Sequence, residues 1–128
     1  MRNNTIRRIK PSDHAMIAQW YRDYGQVMPE PSNFSSTGFI CDERVALWIY
    51  LTNSNMALIE GIIANPNTVP ELRRSSLNRL VGFAVDFCIA AGYTNILGIT
   101  KHPSVEDLGK RYGFKTLKSH KILYLKAD

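Results

Sequence analysis

Basic and hydroxyl side chains cluster where a helical pattern begins near the middle of the chain. The cluster consists of Arg73, Arg74, Ser75, Ser76, Asn78 and Arg79. Apolar residues from Leu77 to Ala91 keep a helical period, which predicts a helix that begins near Arg73 and stops at Gly92. The start of a helix offers unpaired N–H groups and the positive end of its dipole, so arginines and hydroxyls there indicate a phosphate site. A solvated basic first turn is the alternative.

Two further residues have side chains that could move a proton. Glu60 is the only acid in the apolar segment 56–64. Loss of water around a carboxyl group raises its pKa, which would suit a general base, whereas a solvent-facing or arginine-paired Glu60 would be structural. His102 precedes the last predicted helix, where an imidazole could relay protons or simply cap that helix.

The surrounding patterns predict an α/β (α+β) domain that spans residues 1–128. Its mixed, mostly antiparallel sheet is flanked by helices in the order strand, helix, loop, three strands, helix, strand, helix, strand. The three central strands are expected to form an antiparallel meander, and the next strand to pair in parallel with residues 56–64. The predicted strands are residues 5–10, 38–41, 45–52, 56–64, 93–100 and 115–126, and loop 26–38 is expected to hold one helical turn.

Composition narrows the classes of partner. The 128 residues carry a net charge of +5, with 45% hydrophobic and 21% charged residues, as in a globular domain. The charge suggests an anionic partner, although many small proteins carry such a charge without a role. Its dispersal and the lack of an aromatic-basic stripe argue against nucleic acid.

Cys88 is predicted to be a packed thiol, and neither cysteine has a metal-ligand spacing, so no metal is expected. Without a bilayer-spanning run, we expect a cytoplasmic protein and no membrane partner.

Three features together make the chain resemble the GNAT superfamily of N-acetyltransferases. The first is the strand, loop and basic helix start over residues 57–80. The second is F-C-I-A-A-G-Y-T-N-I-L-G-I-T, which is similar to the family's helix end and following strand. The third is L-G-K-R-Y-G-F, which resembles its last-helix signature closing on Gly-Phe.

The resemblance implies acetyl-CoA as the acetyl donor, without a metal. In the family, Arg/Gln-x-x-Gly-x-Gly/Ala holds the pyrophosphate through backbone N–H groups. The matching positions are Arg73, Arg74, Ser75, Ser76, Leu77 and Asn78, followed by Arg79. Ser76 and Asn78 replace the two glycines. The resemblance also implies that the strand before this loop splays from its parallel neighbour, and that Ile62, Ile63 and Ala64 pair with pantetheine.

The implied activity is transfer of the acetyl group to a primary amine of a small molecule or protein by direct attack. Glu60 and His102 are the candidate catalytic residues. Gly109 stands where many members have a tyrosine that acts as the general acid. The acceptor would be set by loop 26–38, which contains Glu30. The alternative is a GNAT-fold protein-interaction module without catalysis, for example a phage-type protein directed at a host protein. Dimers are common in the family, so a homodimer is compatible with either reading.

Overall fold

A computed structural model describes residues 5–127, and within this range the chain alternates strands and helices around one sheet. The strands are β1 (Ile6–Arg8), β2 (Gly38–Cys41), β3 (Val45–Leu51), β4 (Met56–Ala64) and β5 (Asn95–Gly98). The helices are α1 (His14–Asp23), α2 (Pro70–Ala90) and α3 (Pro103–Arg111). Short 3-10 turns occupy Pro11–Asp13 and Pro31–Asn33, the second of which is the helical turn predicted inside the loop.

The sheet follows chain order, β1-β2-β3-β4-β5. The first four strands pair antiparallel, with Ile40 opposite Ala46 and Ile49 opposite Ile59 as examples of the register. β5 pairs with β4 in parallel, from Met56 opposite Asn95 to Ile59 opposite Gly98. Both the antiparallel meander and the parallel pair predicted from the sequence are therefore confirmed.

Helices cover both faces of the sheet. Because successive side chains of β3 point to opposite faces, each face of this strand packs against a different helix. Val45, Leu47 and Ile49 belong to the cluster packed against α2, where Cys88 is also buried. Ala46 and Trp48 belong to a second cluster, which Ile17 and Trp20 of α1 complete. This two-sided burial explains why β3 reads as a continuous apolar run.

Two sequence predictions about element bounds are wrong. α2 begins at Pro70, not near Arg73, because the fixed φ of proline and its missing N–H suit the first helical position. The final strand predicted over residues 115–126 is absent from the described chain, and those side chains are exposed. A lysine-interrupted alternation is not sufficient for a strand when no neighbouring strand supplies backbone partners.

Candidate functional site

β4 extends beyond the end of its parallel partner β5, which leaves one side of residues 60–64 without a paired strand in the described chain, and this side of β4 is called the cleft below. The ladder between β4 and β5 ends at Ile59 and Gly98, followed by one last bond in which the Ile99 N–H donates to the Ile59 carbonyl at 3.0 Å. β4 continues for five more residues, to Ala64, beside β3 alone. The predicted positions Ile62, Ile63 and Ala64 lie on this part of β4, so their backbone borders the cleft.

A β-bulge at Gly61 marks the separation. Ala46 pairs with Ile63 and Trp48 with Glu60, so two residues of β4 oppose one residue of β3. Gly61 has φ +77°, in the left-handed region that favours glycine. A Cβ atom at this position would lie 3.0 Å from the Trp48 ring. The bulge bends β4 immediately before the cleft, and the isolated glycine in an apolar strand was a sequence signal for it.

Glu60 lies in a cavity of about 670 Å³ beside the bulge. Tyr21 of α1, Tyr50 of β3 and Gly61 line it together with Glu60. The loop after α1 contributes Pro29, Asn33 and Phe34, and the C-terminal segment contributes residues 124–127. The structure therefore brings part of loop 26–38 beside Glu60, whereas Glu30 is not among the lining residues.

The loop side of the cavity is held by specific contacts. The Phe34 ring stacks on Trp48, with 4.1 Å between ring centroids and 26° between planes. The Ser35 hydroxyl donates to the Ile49 carbonyl at 2.6 Å and accepts from the Thr37 N–H at 3.0 Å. These contacts fix one aromatic wall against the buried face of β3.

The negative charge of Glu60 contributes to raised pKa values of the neighbouring Tyr21 and Tyr50 phenols. Burial is the main cause that raises the pKa of Tyr21, and the negative charge of Glu60 raises it further. The pKa of Tyr50 is raised by the same two causes, burial first. Both phenols therefore stay protonated at neutral pH, in a half-buried setting that strengthens electrostatic interactions.

The predicted phosphate residues occupy several faces of α2. Arg73 turns back over the loop that precedes the helix, with its guanidinium 3.4 Å from the carbonyls of Pro66 and Thr68. Arg74, Ser75 and Asn78 are exposed. The free N–H groups of the helix start belong to its first turn after Pro70, where Glu71 adds an exposed acid that opposes anion binding.

Ser76 and Arg79 face the protein interior instead of a ligand. Ser76 is fully buried, and its hydroxyl donates to the Asp42 carboxylate at 3.0 Å. Arg79 forms a close ion pair with the same carboxylate, and Arg44 lies 3.6 Å from it. Burial alone would raise the pKa of Asp42, but bonds from the Thr5 N–H and the Ser76 hydroxyl leave it below its ordinary value. The side chains of Ser76 and Arg79 therefore bind the Asp42 carboxylate and do not face a ligand site.

His102 and the cavity are separate in the structure. His102 is the exposed N-cap of α3, where its carbonyl accepts the N–H groups of Val105 and Glu106 at 3.1 Å. It is not among the residues that line the cavity. Tyr112 is also engaged elsewhere, since its hydroxyl donates to Asn78 Oδ1 at 2.8 Å. Within residues 5–127, Glu60 is therefore the predicted catalytic residue that the structure places in a cavity.

Several residues of the site had no role in the sequence analysis. Tyr21 was not predicted as a site residue, and Tyr50 was predicted only as part of the strand over residues 45–52. Their signal was the polar end of an otherwise apolar ring, which needs water or a partner when the ring is buried. Tyr124 was assigned to the missing final strand, so its place beside Glu60 could not be foreseen from periodicity.

Neither a metal-binding cluster nor a membrane-spanning helix is present in residues 5–127. Between residues 5 and 127, no three His, Cys, Asp or Glu side chains are grouped so that they could hold a metal ion. Over the same range, none of the helices has the length and apolarity needed to cross a bilayer.

Comparison with known proteins identifies the fold. Neither protein-family models nor curated proteins match the sequence. Among solved structures, a transcriptional regulator from Bacillus halodurans C-125 superposes with a TM-score of 0.69 at 19% identity, covering 98% of this chain and 100% of the other. The ribosomal-protein-S18-alanine N-acetyltransferase from Escherichia coli gives 0.67 at 16% identity, covering 88% and 78%.

A GNAT-family acetyltransferase from Streptococcus pneumoniae TIGR4 gives a TM-score of 0.62 at 10% identity, covering 98% of this chain and 100% of that one. This chain therefore has the GNAT acetyltransferase fold, as its motif order predicted. At such low identity the likeness establishes the fold, and the chemistry must be argued from the residues.

Proposed function

We propose that this protein transfers the acetyl group of acetyl-CoA to a primary amine. The single observation that carries the proposal is the cleft, the side of β4 left unpaired over residues 60–64, whose first residue Glu60 also lines the cavity. A linear thioester in the cleft would present its carbonyl carbon to an amine in the cavity. Proximity and orientation of this kind account for much of the rate enhancement in such a transfer.

Backbone groups of β4 would hold the donor. In this proposal, Ile62, Ile63 and Ala64 pair with the pantetheine arm as an added strand would, because the β5 side of this stretch is open. The pyrophosphate lies at the start of α2, with Arg73 and Arg74 as the charged partners. Ser76 and Arg79 hold the helix in place through Asp42 and contribute indirectly.

Glu60 would act as the base. The amine arrives as an ammonium ion and gives one proton to the Glu60 carboxylate, which leaves a lone pair on nitrogen. That lone pair attacks the thioester carbonyl carbon, the C–S bond breaks, and the sulfur leaves as a thiolate. The second amine proton neutralises the thiolate by way of water, so the products are an amide, CoA and one released proton.

Calorimetry with acetyl-CoA tests the donor site. Arg74→Glu is the informative variant, since Arg74 is exposed and its reversal leaves the core intact. We expect at least about tenfold weaker binding, equivalent to one lost charge-assisted hydrogen bond. Lys115→Glu, an equal charge reversal at an exposed site outside α2, should change the affinity by less than about twofold. Absence of acetyl-CoA binding to the unmodified protein at millimolar concentration would end the proposal.

A protein-interaction module is the second candidate function. It is favoured by the exposed apolar side chains of Ile122, Leu123, Tyr124 and Leu125 in the C-terminal segment, of which Leu123 is 91% exposed. Exposed apolar patches mark contact surfaces, including those of homodimers. This candidate predicts a complex that survives Arg74→Glu and is lost when Leu123 and Leu125 are changed to Ser. Analytical ultracentrifugation of both variants would detect it.

A further inference from the structure

The cavity beside Glu60 combines one carboxylate with four aromatic side chains, three of them partly buried and one, Tyr124, exposed. Tyr21, Phe34, Tyr50 and Tyr124 supply rings from four different segments of the chain. Among the described lining residues, only Glu60 and Lys126 carry a charged side chain. Aromatic faces and a carboxylate both attract cations, and they do so more strongly where water is partly excluded.

The two charges occupy different depths. Glu60 is half-buried on β4, whereas Lys126 is exposed on the C-terminal segment. A single positive charge inside the cavity would meet the carboxylate and the rings. Because the other charged side chain among the described lining residues is the cation Lys126, these charges favour a ligand with one positive charge over a polycation.

The ring arrangement also restricts shape. Phe34 cannot turn freely because it stacks on Trp48, which is buried and belongs to the core beneath the sheet. Tyr21 and Tyr50 are half-buried on α1 and β3, two elements that the sheet and its helix layer hold in place. Fixed rings of this kind accept a flat apolar group by stacking or edge contact. The volume of about 670 Å³ lies in the range of small-molecule sites.

We propose that the cavity binds a primary amine with one positive charge on a flat apolar body, which is the arylalkylamine class. The ammonium group lies beside Glu60 and the ring lies among Tyr21, Phe34 and Tyr50. That this amine is the acetyl acceptor rests on the proposed function. The binding preference itself rests only on the cavity.

Calorimetry with 2-phenylethylamine tests the preference, on the full chain both alone and saturated with CoA. Two comparison ligands change one property each: 2-phenylethanol lacks the charge, and phenylalanine adds a carboxylate. A third, spermidine, changes two, because it adds positive charges and removes the ring. We expect 2-phenylethylamine to bind at least about tenfold more tightly than each of them, since one ion pair or cation–π contact of about 1.4 kcal/mol gives that ratio.

Variants then assign the preference to residues. Glu60→Gln should weaken 2-phenylethylamine at least about tenfold and leave 2-phenylethanol within about twofold. Tyr21→Leu should weaken the amine about fivefold, whereas Tyr21→Phe, which keeps the ring, should stay within about twofold. Asp86→Asn removes an exposed carboxylate from α2 and should change none of these affinities.

Three results would overturn the inference: equal binding of 2-phenylethanol, tighter binding of spermidine, or no binding of 2-phenylethylamine to the folded protein at millimolar concentration. Failure of the proposed function gives a different result. In that case acetyl-CoA does not bind, while 2-phenylethylamine still binds the free protein in a Glu60-dependent manner.

Discussion

The hydroxyl of Ser76 on α2 donates a hydrogen bond to the carboxylate of Asp42, in the turn between β2 and β3, at 3.0 Å. Arg79, one helical turn further along α2, forms an ion pair with the same carboxylate, whose side chain is only 2% exposed. Asp42 also has φ 55°, which is an unfavourable backbone for most residues. The turn and the helix thus depend on one buried carboxylate.

Replacement of Asp42 by Asn should destabilise the fold. Asn tolerates positive φ and keeps the size of the side chain, so the change isolates the charge. Arg79 would lose its anionic partner while its Nε and Nη1 atoms are already buried without hydrogen bonds. We expect a loss of about 2 kcal/mol in the free energy of unfolding by urea, as for a buried charged hydrogen bond. Asp86→Asn on the exposed side of α2 is the control, and an equal loss there would contradict the assignment.

Ser76→Ala separates a structural role from a ligand role. The variant removes one neutral donor to Asp42, so unfolding free energy should fall by about 1 kcal/mol. Acetyl-CoA affinity should stay within about twofold, because the hydroxyl faces the turn and not the solvent. A tenfold affinity loss with unchanged stability would instead make Ser76 a direct phosphate ligand.

Stability should fall in acid because of Asp13. Its carboxylate accepts two bonds from the Arg7 guanidinium, at 2.8 and 2.9 Å, which hold its pKa at about 2 against the burial that would raise it. The ordinary value is 3.8. Since the folded pKa is the lower one, the contribution is complete above about pH 4 and is lost as the pH falls through 2.

From this difference in pKa we expect a contribution of about 2 kcal/mol to the free energy of unfolding. Urea titrations between neutral pH and pH 2 should show Asp13→Asn less stable than the unmodified protein at neutral pH, with the two converging in acid. Parallel curves over the whole range would show that Asp13 does not titrate with folding.

The sequence was sufficient to predict strands whose length and apolar composition together indicate burial on both faces. β4 was predicted with its observed bounds, because nine residues with a single charge are too short for a buried helix and rich in β-branched types. The residues 45–49 are all buried, so the same argument held for β3. Local composition was sufficient where the strand is covered on both faces.

The same reasoning failed where a residue's partner is distant in sequence. Ser76 was expected to face phosphate, yet its acceptor Asp42 lies 34 positions earlier and is reached only after the hairpin and helix pack. The final strand was expected from alternation, but a strand needs a neighbour, and periodicity does not name one. The cavity around Glu60 likewise depends on five separate segments, which meet at the bulge.

Gly61→Ala should affect both stability and ligand binding. An alanine would be strained at φ +77°, and its Cβ would lie 3.0 Å from the Trp48 ring. We expect a loss of about 1–3 kcal/mol in unfolding free energy, and weaker binding of both acetyl-CoA and the amine as the bulge readjusts. Gly92→Ala is a matched control, because Gly92 also has positive φ, +95°, but nothing lies within 4 Å of its added Cβ. Equal effects in the two variants would show that the Trp48 contact is unimportant.

Removal of residues 122–128 should open the acceptor cavity and leave the fold intact. The described part of this segment joins no strand, and Ile122 and Leu123 are exposed, so its loss removes little buried apolar surface. We expect a change in Tm of less than about 3 °C, because less than about 1 kcal/mol of packing is lost.

Ligand binding to the truncated chain should change selectively. The cavity loses Tyr124 and Lys126, so 2-phenylethylamine should bind about fivefold more weakly, whereas the discrimination against spermidine should shrink because the repelling lysine is gone. Acetyl-CoA affinity should stay within about twofold, since the cleft along β4 and the start of α2 are untouched. Tyr124→Phe in the full chain keeps the ring and should bind the amine as the unmodified protein does. If the truncated chain unfolds, residues 122–128 contribute substantially to the stability of the domain, and the expected separation of ligand binding from folding is wrong.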